Sequence, residues 1–194
     1  QMCIRDSGLE TQASFATLDA PALAADVIEC EGADIASYAQ GETVVVLAPG
    51  GQRAIIRHKK GRFRYEPVSG DPLKLKDILD GLAADADGYH DADALLQATG
   101  THEYPIPLQR LWRAHFGIVE NTPSVILSLK DNYYSGWPWY ARSLHIASTH
   151  GSLNYRNSAA FIMSTVGPLP ALMRTSDIPR HMREITGKPF PMGK

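Results

Sequence analysis

Two glycine turns, Pro49-Gly50-Gly51 and Lys60-Gly61, cut residues 43–66 into three short segments whose composition suits a sheet and little else. Thr43–Ala48 is almost wholly β-branched or apolar, and Arg53–Arg57 and Arg62–Glu66 alternate charged with apolar or aromatic side chains. Alternation at a period of two puts one set of side chains on each face of a strand, so the pattern predicts a β-meander with one face wet. Asp34–Tyr38 is strand-like as well and precedes it.

Helical spacing brackets the meander. Asp19 caps a predicted helix over 19–30, with Pro21 in its first turn, Leu23, Val27 and Cys30 on one face, and Gly32 ending it. After the meander, Asp71-Pro72 opens a helix carrying Leu75, Ile78, Leu79 and Leu82 at i, i+3, i+4 and i+7. A short helix follows at about 91–98, and Pro105 and Pro107 introduce Leu108, Leu111, Trp112 and Phe116 at the same spacing, with Trp112 in the core. These segments read as a helical insert following the meander.

The pattern changes at Ser124. Ser124–Leu129 and Ala159–Ser164 are near-continuous apolar runs, expected as neighbouring strands covered on both faces. Residues 130–158 between them form a long loop rich in Asn, Tyr, Trp, Ser, Gly and His, a length that is usually functional or disordered, and the aromatics of Trp137-Pro138-Trp139-Tyr140 argue against disorder. Arg174–Pro179 then reads as a strand end entering a helix, capped by Ser176 or Asp177 and stopped by Gly187.

Bulk properties exclude some classes. A net charge of -2 and a pI near 6.4, with basic residues scattered apart from the hairpin-tip run Arg57-His58-Lys59-Lys60, disfavour nucleic acid as a partner. No apolar run approaches the roughly eighteen residues of a membrane span, so the chain reads as soluble. Cys3 and Cys30, with no CxxC pair, argue against a disulfide framework or a cysteine zinc site. The opening Gln1–Ser7 resembles translated sequencing-adapter sequence and is expected to be an artefact at residues 1–7, the alternative being a genuine disordered N-terminal tail. Residues 8–194 are then the domain portion, with the compartment open between cytoplasm and export.

Within the long loop, Ser148-Thr149-His150-Gly151-Ser152 places an imidazole just before an expected buried strand, followed by a glycine that admits close backbone approach. Such a histidine suits a neutral zinc ligand, and among seven histidines it also suits a structural strut. Three stretches together resemble the alkaline-phosphatase superfamily, particularly its type I phosphodiesterase and nucleotide pyrophosphatase-like branch. They are Gly61–Glu66 with Gly70–Leu73, the Ser148–Leu153 block, and Arg174-Thr175-x-Asp177-Ile178.

The resemblance implies an α/β fold: the C-terminal part of an alkaline-phosphatase-like sheet flanked by helices, with meander and insert at about 34–116 and closing strands with a metal-ligand loop at about 124–187. It implies a metal-dependent hydrolase of phosphate mono- or diesters, with His150 binding one of two divalent ions, commonly zinc, and a phosphate ester as the small-molecule partner. The nucleophile and the other ligands, an Asp and an Asp-His-Gly block, are expected upstream of this chain. Neither an Asp-His-Gly block nor an Asp near a plausible Ser or Thr nucleophile appears before residue 124. The chain alone should therefore be inactive and hold no metal tightly, because a catalytic zinc needs about three protein ligands.

Asn154, Tyr155 and Arg156 are candidate substrate contacts, Arg156 through a bidentate fork, or else plain loop residues. His145 is a weaker candidate for the site, and Tyr133, Tyr134, Trp137, Trp139 and Tyr140 could stack against a ligand or anchor the loop. Two rival readings are a sulfatase-branch fragment and a non-catalytic module that binds a small ligand.

Overall fold

The structure is a computed structural model that describes the backbone of residues 2–3 and residues 19–117, 122–133 and 152–188. Helix α1, Ala20–Ile28, starts where expected: the Asp19 side chain accepts from the Ala22 amide and Pro21 sits in the first turn. Its buried residues are Ala24 and Ile28; Leu23 and Val27 are only partly covered, and Cys30 lies exposed beyond the last turn. The expected face is thus rotated, because the sheet meets the small residue Ala24 most closely.

Strands β2 (Ala33–Gln40), β3 (Thr43–Ala48), β4 (Gln52–Lys59) and β5 (Arg62–Ser69) form the meander, and each pairs antiparallel with the next. Lys60 and Gly61, both at positive φ (51° and 79°), make the two-residue turn whose twist matches that of the strands it joins. Strand β6 (His90–Asp91) extends the sheet beyond β5, and β7 (Ile126–Leu129) returns to pair antiparallel with β2. Six strands from residue 33 onward therefore make one antiparallel sheet, and a two-residue strand β1 (Met2–Cys3) pairs on β7 to make the order β1-β7-β2-β3-β4-β5-β6.

Helices flank this sheet. On one face Val44, Val46, Ala54, Ile56, Phe63 and Tyr65 pack against Leu79 of α2 (Lys76–Asp80), Leu95 of α3 (Ala92–Thr99) and Leu108 and Leu111 of α4 (Pro107–Phe116). On the other face α1 covers only the β3-β2-β7 half, through Ala24, Ile28, Ala36, Tyr38, Val45 and Leu127. The meander is therefore the central part of the sheet, and the three helices that follow it pack over one of its faces. β7 is buried on both faces, as its unbroken apolar run predicts: Ile126, Leu127 and Ser128 are all buried.

Two other expectations fail. The helix expected from Asp71 begins only at Lys76, because Asp71 caps an irregular turn: its carboxylate accepts from the Tyr65 hydroxyl at 2.7 Å and the Lys76 amide at 2.8 Å. Leu73 and Leu75 are fully buried from that irregular segment, which satisfies the apolar pattern without a helix. The run Ala159–Ser164 is neither helix nor strand; Phe161 and Met163 are 86% and 83% exposed. Apolar composition makes a strand only where a neighbouring edge offers backbone partners, and here the described chain presents none to it.

Beyond β7 the chain resumes with a single turn, α5 (Tyr155–Ser158), and ends in a 3₁₀ turn (Thr175–Asp177) leading into α6 (Ile178–Thr186), closed by Gly187 at φ 64°. Arg174, expected at a strand end, lies in irregular chain, and Asp177 accepts from the Arg174 amide.

Candidate functional site

The loop singled out in the sequence re-enters the described residues at Ser152, where the fold holds it firmly. Ser128, buried in β7, accepts a hydrogen bond from the Leu153 amide at 2.8 Å, and Leu153 itself is fully buried against the sheet. Just past the end of β7, Asp131 accepts from the side-chain amides of Asn154 (2.7 Å) and Asn157 (3.2 Å). Asn154 also caps α5, its carbonyl oxygen accepting from the Asn157 amide at 3.2 Å. A short polar residue ahead of a helical turn does this readily, since it satisfies an amide that has no partner inside the turn.

Helix α4 grips the same segment from the other side. The Arg110 guanidinium donates to the carbonyls of Leu153 (2.7 Å), Ser152 (3.2 Å) and Pro105 (3.3 Å). Burial pulls its pKa below the ordinary arginine value, but the group stays charged at neutral pH, so three carbonyl dipoles answer a partly desolvated cation. The Tyr155 amide donates to the Glu103 carbonyl at 2.7 Å. Nearby, at the start of β2, Asp34 accepts from the Tyr104 hydroxyl at 3.1 Å, and burial raises the pKa of both groups.

His150 lies outside the described residues, as do Ser148, Thr149, Gly151, His145, Tyr134, Trp137, Trp139 and Tyr140. The structure places Asn154, Tyr155 and Arg156 together on and beside α5. Asn154 is buried with both ends of its amide engaged. Tyr155 is exposed, and the Arg156 side chain is 85% exposed with its Nε 3.9 Å from Asp131. Of the three, Arg156 has the freedom to meet a ligand, and Asn154 is committed to shaping the turn. Tyr133 anchors the loop's other end, its ring over Gly32 and its hydroxyl donating to Glu31 at 3.0 Å. Among the described residues no three His, Cys, Asp or Glu side chains are grouped to hold a metal.

A second anchor lies 43 residues past Asp131, at Arg174. Its guanidinium reaches Gln109 Oε1 (2.6 Å), Asp93 Oδ1 (2.7 Å), Asp177 Oδ2 (3.3 Å) and the Ala92 carbonyl, and the side chain is nearly buried. It ties the turn before α6 to α3 and α4. Asp131, Arg110 and Ser128 carry no local sequence signal of these roles, because their partners lie 23 to 43 residues away.

Fold and site together define a helix-covered antiparallel sheet with a polar-anchored segment docked at the end of its β7 strand. No protein-family model, no curated protein and no solved structure matches the chain.

Proposed function

We propose that this chain is part of a metal-dependent hydrolase of phosphate mono- or diesters of the alkaline-phosphatase type, with His150 as a ligand of one of two divalent ions, zinc by preference. The observation that supports it is the fixing of Ser152–Ser158, the continuation of the His-Gly block, by Ser128, Asp131 and Arg110 just past the end of β7. A ligand-bearing loop needs such support, since a metal site loosens when the backbone that carries a ligand is free. A neutral imidazole is a good zinc ligand. When bound, two divalent ions would activate a nucleophile and stabilise the oxygens of an in-line displacement. From this chain, Arg156 would neutralise and orient a phosphate oxygen, Tyr155 would flank the leaving group, and Asn154 would hold the turn that carries both.

Two measurements test this reading. The purified chain should not hydrolyse a nitrophenyl phosphodiester and should bind zinc no better than a lone surface histidine; robust turnover would refute the expectation that the remaining ligands and the nucleophile lie elsewhere. In a longer protein that carries this segment, His150→Ala should lower bound zinc and turnover by orders of magnitude. Full zinc occupancy with only a lowered melting temperature would make His150 a strut. That second reading, a non-catalytic module that binds a small ligand, is favoured by one observation: Asn154 and Asp131 spend their polar groups on each other.

A further inference from the structure

Helix α4 lies across the sheet with its two halves attached differently. Its first half is held by Leu108 and Leu111, each fully buried among the apolar side chains of β3, β4 and β5. Of its last turn only His115 is buried; Phe116 is 40% exposed and Arg113 is exposed. His115 reaches the fully buried Ser37 of β2, with Nε2 3.1 Å from Ser37 Oγ. Its other ring nitrogen, Nδ1, is buried with no hydrogen-bond partner among the described residues.

That geometry favours one protonation state. In the neutral ring one nitrogen carries a proton and the other a lone pair, so donating Nε2–H to Ser37 leaves only an unsolvated lone pair at Nδ1. The imidazolium needs acceptors for two N–H groups and would bring a charge into an apolar seam.

Among the described residues no acid stands by to receive it. On the helix-covered side, β2 presents Ile35 and Ser37, β3 Val44 and Val46, β4 Ala54, Ile56 and His58, β5 Phe63 and Tyr65, and β7 Ile126 and Ser128. Asp34, at the start of β2, is engaged by Tyr104, Tyr65 donates to Asp71, and on α4 itself Arg110 is turned to the carbonyls of residues 152 and 153. His58 is the other histidine in this seam, its ring centroid 5.1 Å from that of Trp112, which in turn stacks on Phe116 at 4.4 Å.

We propose that the Ser37–His115 contact is an acid-released catch: protonation of His115 frees the last turn of α4 from β2 while Leu108 and Leu111 keep the first half seated. The sign follows from burial. Burial lowers the His115 pKa from 6.5 to about 4 in the closed state, so between those values the open state takes up a proton that the closed state refuses. Opening therefore becomes up to about tenfold easier per pH unit across that window, roughly two orders of magnitude in all. Burial lowers the His58 pKa too, which adds to the effect in the same direction.

The catch is read out by Trp112 fluorescence in a Trp137→Phe/Trp139→Phe background, by amide exchange, and by the pH titration of the His115 ring in the same protein. As pH falls from about 6.5 to 4, Trp112 emission and exchange at residues 112–116 should change while the amides of β2–β5 stay protected. Most of the change should be lost in His115→Gln, whose amide can still bond Ser37 but does not titrate, leaving only the smaller part that His58 supplies. Three results would overturn the proposal: an identical acid transition in His115→Gln, a His115 ring that titrates near its ordinary value with α4 still protected, or loss of β2–β5 protection in step with the helix.

Discussion

Two strings of apolar residues meet opposite fates in this molecule. In β3, Val44, Val45 and Val46 are wholly buried, with β2 and β4 paired on either side, α1 over one face and the α2–α4 layer over the other. In the tail, Phe161, Ile162, Met163 and Val166 lie exposed in a strap between two polar anchors, the Asp131 cluster before it and Arg174 after it. Composition is similar; the difference is whether neighbours exist in register. The first region gains its stability from apolar surface removed from water, and the second is held by a few charge-assisted hydrogen bonds at its ends.

The comparison is sharpest where its two halves are mutated. Leu111→Ala, which opens a hole beneath α4, should cost about 2–5 kcal/mol in denaturant unfolding, the range for a buried leucine with partial collapse. A loss under 1 kcal/mol would mean that the helical layer contributes little to the core. Arg174→Ala should cost about 1–3 kcal/mol and act locally, since it strips several partners from one cation and leaves the sheet intact. Amide exchange should rise across 174–186 and stay slow in β2–β5; uniform acceleration would erase the distinction between body and tail. Phe161→Ser should change stability by no more than about 0.5 kcal/mol, as for other exposed positions. A large loss there would show that the strap is covered after all.

Much of the body was legible before the structure. Alternation across Arg53–Arg57 and Arg62–Glu66, with glycine turns between, dictates hairpins because each turn leaves few ways to pair its flanks. Asp19 marks a helix start by its own chemistry and acts as its cap. Asp71-Pro72 ahead of Leu75, Ile78, Leu79 and Leu82 misled, since helical spacing records which residues want burial and says nothing of a tyrosine hydroxyl that engages Asp71. Ala159–Ser164 misled for a different reason: a strand is a relation between two segments, and one segment does not reveal its partner. Around the candidate site, the short polar turn at Asn154 is readable locally. The grip of Arg110 and Asp131 on it joins distant residues and leaves no local mark.

The meander has a kinetic consequence. Strands β2 to β5 are joined by turns of two or three residues, so each pairing closes a very small loop. β7 reaches β2 only by bringing Ile126 to Ser37, after all three helices of the covering layer have been traversed. Closing that loop costs about 3 kcal/mol more chain entropy than closing a hairpin. The hairpins can therefore assemble from neighbouring contacts within microseconds, and the docking of β7 sets the pace at which the second face, with α1 upon it, is completed.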